Sequence, residues 1–230
     1  MEHSTRPSLV VTPHKGIRYA FAQLIMKAGS LDYTDKFKVT QFKAELDEFG
    51  GLLEEHAHLE NEFILKSLEQ RVPGSSRHDE QDHVALEALQ NSVFAKLEAI
   101  LDPRISEAKA SASGYAFYQE LSKLYAAHLE HMLEEETVTQ ALLWEHFSDA
   151  EIIGLHVQIV RSIPPAVMLS WAKYLIPALN LSERTELLAG IQAGAPPSFF
   201  EQVMAIAEET LPMAEFHQLE SKLMIAAYLS

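Results

Sequence analysis

The chain has 230 residues, a formal charge of −15 at pH 7, eleven histidines and no cysteine. The charge makes nucleic acid or an anionic membrane a poor partner, because phosphate groups would be repelled. Without thiols there is no cysteine nucleophile, disulfide, iron–sulfur ligation or Cys-based zinc site, so metal chemistry here turns to imidazole and carboxylate ligands.

Hydrophobic residues make up 47% of the chain, ample for a core, and nine glycines with few β-branched runs favour helix over sheet. No run approaches about 18 uninterrupted apolar residues, so no membrane span is expected. The N-terminus, Met1–Pro7, lacks the apolar centre of a secretory signal. A cytoplasmic location is the expectation.

Thr12 followed by Pro13 predicts the start of a first helix, with Gly29 ending it after Ala28. Ile17, Phe21, Leu24 and Ala28 fall on the same stripe as His14. A second helix is expected from about Thr34 to Val72, before Pro73–Ser76. Gly50 and Gly51 weaken it by about 1 kcal/mol each and allow a break or kink there. Ser75 or Ser76 caps a third helix to Leu101, closed by Asp102–Pro103; its stripe of Leu86, Phe94, Leu97 and Leu101 extends the face of His83. A fourth helix runs from about Ser106 to His146, with Leu124, Ala127, Val138 and Leu142 on the face of His131 and Glu135.

After Phe147 shorter helices follow, punctuated by Pro164–Pro165, Pro177, Pro196–Pro197 and Pro212. Ser148–Glu151 and Ser198–Glu201 each read as a capping box. The expected architecture is all-α: a four-helix bundle over residues 1–147 and a helical C-terminal extension over 148–230. That extension docks on the bundle or on a second copy of the chain, as in a homodimer.

One short pattern occurs on the second and fourth of these helices: His58-x-x-x-Glu62 and His131-x-x-x-Glu135. A spacing of four is about one helical turn, roughly 6 Å of rise, so each pair shares a face. A single such pair is common on exposed helices, and a lone histidine on a helical face is usually an ordinary packed or solvated residue. The combination is harder to dismiss. Each of the four helices carries one histidine on its core-facing stripe, namely His14, His58, His83 and His131. Burying Glu62 and Glu135 would be costly unless they were paired or bound a metal.

If both glutamates bridge two cations, two histidines remain for each ion and every ion has four protein ligands. Positions are left for a bridging oxo or hydroxo group and for one small exogenous molecule. Two carboxylates against two divalent ions leave a net charge of about +2, which favours an anionic or small diatomic ligand. Nitrogen and oxygen donors are compatible with Fe, Mn or Zn. His56 lies roughly 200° around the helix from His58 and is expected to be peripheral. His146, His156 and His217 have no partner pattern.

In this order and spacing, Pro13–Arg18, Glu54–Glu62, Asp82–Leu86 and His128–Glu135 resemble the hemerythrin-like, HHE cation-binding family. The resemblance covers residues from about 10 to 150. It implies an up-down-up-down four-helix bundle with two iron ions in its core. It differs from ferritin-like di-iron proteins, where Glu-x-x-His puts the carboxylate first. Oxygen-carrying members have a fifth histidine one turn before the third-helix histidine; here that position is Asp79, preceded by His78. The carriers also have His-x-x-x-x-Asp where this chain has His131-x-x-x-Glu135. Both departures point away from reversible oxygen carriage, and Asp79, Glu87, His128 or a water can fill the vacant position.

The resemblance implies a non-catalytic di-iron protein that senses or binds dioxygen, nitric oxide or iron. Two alternatives stand beside it. One is a di-iron oxidoreductase acting on peroxide or nitric oxide, or in iron–sulfur cluster repair; repair proteins of this group usually carry a cysteine-bearing domain, and this chain has no cysteine. The other is a helical interaction protein with a degenerate or zinc site.

Overall fold

The computed structural model describes residues 6–229, with side chains through 225. The first five residues, on which much of the expectation about a secretory signal rests, lie outside that range. Among the described residues the chain is all-helical, with no strand. No single helix among them is long and apolar enough to cross a membrane.

Helix α1 (Val11–Ser30) starts one residue before the expected cap. Its Val11 N–H donates to Ser8 Oγ, and Pro13 lies in the first turn, where a missing N–H breaks no helical bond. Helix α2 (Lys36–Leu59) is capped by Asp35, whose carboxylate accepts from the Lys38 N–H. It runs on through a π-helical segment (Glu60–Leu65) into α3 (Lys66–Arg71). No break occurs at the glycine pair. Gly50 is buried against α4 (Arg77–Leu101), where a Cβ would come within 2.3 Å of Phe94 Cζ, while Gly51 meets open space. The first glycine is there for close helix approach, and packing outweighs its low helix propensity.

Between α3 and α4, Gly74 adopts a φ of 90°. Its N–H and the Ser76 hydroxyl both donate to the Glu69 carboxylate, so Ser76 starts α4 without capping it through its own side chain. Helix α5 (Glu107–Glu134), capped by Ser106, also continues through a π segment (Glu135–Thr139) into α6 (Gln140–His146). Aromatic rings fill the space between these long helices. Phe21 stacks on Tyr125 and meets Phe49 edge-on, both at 4.9 Å, and Phe117 meets Phe42 edge-on at 5.9 Å. Full burial of a Phe of this kind stabilises by about 1.5–3 kcal/mol.

The chain divides into two compact units, residues 1–11 with 20–161, and residues 12–19 with 162–230. The continuous helix α1 supplies residues to both. The division falls at 161 rather than at the expected 147 because α7 (Asp149–Ser162) belongs to the first unit: Ile152 and Leu155 share a core with Leu68, Leu143 and Phe147. The capping box that starts α7 forms as expected, with the Ser148 N–H donating to Glu151 and the Glu151 N–H donating to Ser148 Oγ.

In the second unit, α8 (Pro165–Ala178), α9 (Leu181–Gly194), α10 (Pro197–Thr210) and α11 (Met213–Leu229) enclose Ile176, Leu188, Val203, Ala207 and Leu219. Buried Arg184 donates to the Ile176 carbonyl and to the Glu215 carboxylate, each at 2.6 Å. The box expected at Ser198–Glu201 does not form, since α10 starts from Pro196 with no side-chain cap. A box forms instead at Asn180–Glu183.

Candidate metal centre

Four side chains of the first unit converge at the ends of α2 and α5. His83 of α4, His131 of α5, and Glu60 and Glu135 are all buried. Each of the four offers one ligand atom within 4.8 Å of the others. His83 Nε2 is 3.4 Å from Glu60 Oε2 and 3.8 Å from Glu135 Oε1; His131 Nε2 is 3.3 Å from Glu135 Oε2. A second group with the same spacing consists of His14, His56, Glu60 and Glu135. In it, His56 Nε2 is 3.2 Å from Glu60 Oε1. Glu60 and Glu135 belong to both groups.

The structure thus brings together His14, His83, His131 and Glu135 of the expected set. It does not bring in His58 or Glu62. Both are exposed, and Glu62, half exposed at 50%, pairs with Lys66 at 3.0 Å. The Lys66 hydrogen bond holds the Glu62 carboxyl below the usual carboxylate range. His56, expected at the periphery, has a side chain only 12% exposed, and Glu60 is buried. The difference in burial has a simple cause. The buried stripe of α2 runs Phe42, Leu46, Phe49, Leu53, and the next steps of three and four reach His56 and Glu60. His58 and Glu62 stand two residues on, roughly 200° away. The apolar phase was the available signal for His56 and Glu60.

Both carboxylates common to the two groups occupy the same backbone position, the first residue of a π segment. A π turn adds a residue to the helical repeat and moves the face of everything after it; such turns are frequent at functional sites. Beyond Glu135 the buried positions are therefore Thr139, Gln140 and Leu143. Val138, expected on the ligand face, is 51% exposed, and Leu142 is only partly buried.

Neighbouring polar groups fix the rings. His83 Nδ1–H donates to Asn61 Oδ1 at 3.0 Å, since an amide oxygen can only accept, and this leaves Nε2 facing the two glutamates. That Nε2 is buried and makes no well-aligned hydrogen bond. Burial opposes a charged His83, but Glu60, Glu135 and Asp79 outweigh it and hold its pKa above the ordinary value. For His131 burial wins, with His83 adding repulsion, and the pKa falls to about 4. A neutral imidazole is the form that binds a metal.

Of the side chains expected for the vacant position, Glu87 is exposed. Asp79 is buried and accepts from Thr139 Oγ1 at 2.6 Å; burial raises its pKa despite that bond. His128 is buried against Phe21, with ring centroids 5.0 Å apart, and belongs to neither four-residue group. Burial first, then repulsion from His131 and His56, lowers its pKa to about 3.

Two four-donor sets of imidazole and carboxylate, sharing both carboxylates and shielded from water, fit a pair of cations. The fold and the site together define an all-helical protein with a buried His/Glu group that can bind metal. Among known proteins, the chain is similar to zinc finger protein BRUTUS-like of Arabidopsis thaliana, 24% identical over 179 residues. That stretch is 78% of this chain and 14% of the relative, so the chain spans about one seventh of the protein it matches. No family model matches the chain, and no solved structure does.

Proposed function

We propose that this chain is a hemerythrin-like, non-haem di-iron binding protein that binds or senses dioxygen, nitric oxide or iron. The observation that carries the reading is the membership of Glu60 and Glu135 in both four-residue groups. Two cations would use every member of both groups: His14 and His56 would serve one, His83 and His131 the other, and Glu60 and Glu135 would serve both. Short connections at 31–35, 72–76 and 102–106 support the up-down-up-down bundle that accompanies this reading, since short links join antiparallel neighbours.

The ligands in this proposal are His14, His56, Glu60 and Glu135 for one ion, and Glu60, His83, His131 and Glu135 for the other. His14, His83, His131 and Glu135 are carried over from the sequence; His56 and Glu60 replace His58 and Glu62. Iron at this position supplies a Lewis acid and a one-electron couple. The chain contributes geometry. Asn61 fixes the His83 tautomer, and Phe21 with Tyr125 lines the neighbouring core and limits water. The helices of residues 162–230 serve to transmit the metal state or to pair two copies.

Elemental analysis of protein from iron-replete cells, with absorption spectra recorded anaerobically and then in air, tests the reading. The expected result is about two irons per chain and near-ultraviolet charge-transfer bands that change on aeration. Stoichiometric zinc without iron would contradict it. Steady turnover of peroxide or nitric oxide would make the same centre an oxidoreductase.

A further inference from the structure

Beside the buried centre lies a second, smaller group of donors. His78 and Asp82 are one turn apart on α4, and Glu134 ends α5. Their ligand atoms also lie within 4.8 Å of one another. His78 Nε2 is 3.0 Å from Glu134 Oε2 and 3.7 Å from Asp82 Oδ2. The His78 side chain is well exposed, and Asp82 and Glu134 are half-buried. On these facts alone the group is an ordinary surface ion pair.

A further contact changes that. Asp82 Oδ2, the oxygen facing His78, is also 3.5 Å from His131 Nδ1. The His131 side chain is only 5% exposed, and its Nδ1 makes no well-aligned hydrogen bond. One carboxylate oxygen therefore stands between an exposed imidazole and a buried one. The two other members neighbour centre residues in the same way: Asp82 precedes His83, and Glu134 precedes Glu135. Adjacent residues on a helix point about 100° apart, so this group flanks the buried one from the solvent side.

We propose that His78, Asp82 and Glu134 form an exposed divalent-cation site that loads the buried centre, with Asp82 standing between the two. The proposal rests on the reading that the buried group binds cations. One imidazole and two carboxylates suit a hydrated Fe(II), Mn(II) or Zn(II) ion that keeps several waters. Exposure makes the site weak and fast, as a loading site must be, and two carboxylates raise the local cation concentration at its mouth.

The test compares the wild-type chain with His78→Asn/Glu134→Gln, using anaerobic Fe(II) and measuring metal that resists a brief chelator quench. The expected result is uptake roughly tenfold slower, at the same final content as wild type. Equal uptake rates would overturn the proposal. Mn(II) titration followed by electron paramagnetic resonance, in a Glu60→Ala/Glu135→Ala background, reads the outer site without the inner one. One weakly held ion, lost when His78→Asn/Glu134→Gln is added, is the expected outcome; no such ion overturns the site. If the wild-type chain takes up no chelator-resistant metal, the buried centre fails, and the outer site is still decided by the Mn(II) titration.

Discussion

The C-terminal ends of α2 and α5 carry the same His-x-x-x-Glu pattern, but the two ends bury it differently. On α5 there is a single copy, His131–Glu135, and it is buried. On α2 two copies interleave, His56–Glu60 and His58–Glu62, and the helix can bury only one. Spacing is identical in the two, so spacing cannot choose. The choice is made over the preceding turns, by Phe42, Leu46, Phe49 and Leu53, which set the face that meets the core. A ligand motif on a helix is therefore incomplete without the apolar phase that carries it inward.

Substitutions test how the two helix ends differ. The largest expected effect is at the carboxylate from α5. Glu135→Ala should reduce bound metal from about two ions per chain to fewer than one, because both groups lose a member; retention of two would refute bridging. Next comes the histidine choice on α2. His56→Ala should weaken one of the two ions by at least 100-fold, whereas His58→Ala should change neither by more than about twofold, read by competition with a chelator.

The same helical phase can be probed without any metal. Gly50→Ala pushes a methyl group into Phe94 and should destabilise the fold by about 1–3 kcal/mol in denaturant unfolding. Gly51→Ala meets nothing and should stabilise by roughly 0.5–1 kcal/mol. Equal effects at the two glycines would mean that α2 presents a different face from the one described. The smallest effect is at Asn61. Asn61→Ala frees His83 Nδ1 and should cost about tenfold in metal affinity at the His83 ion, leaving the His56 ion nearly unchanged.

Much of this was legible in the sequence. The helices, their short connections and the stripe of His14, Ile17, Phe21, Leu24 and Ala28 follow from periodicity, and all five residues are buried. The capping box at Ser148 was readable because both partners are local. What was not readable depended on partners far along the chain. Gly50 looks like a helix breaker until Phe94 stands against it. Ser198 has the right box sequence, but Pro196 and Pro197 set the helix start instead. The π segments leave no mark in composition: α-helical periodicity carried past Glu135 turns Val138 inward, whereas the π turn buries Thr139. His56 and Glu60 are different, since the apolar stripe of α2 points to them while spacing alone does not separate them from His58 and Glu62.

The most direct test sets the two interleaved pairs against each other. Chains carrying His56→Ala/Glu60→Ala or His58→Ala/Glu62→Ala would be produced in iron-replete cells, and metal per folded chain measured by elemental analysis. The first is expected to lose the paired metals and the second to keep about two. Loss of metal from the second with retention in the first would contradict the choice of His56 and Glu60 as ligands.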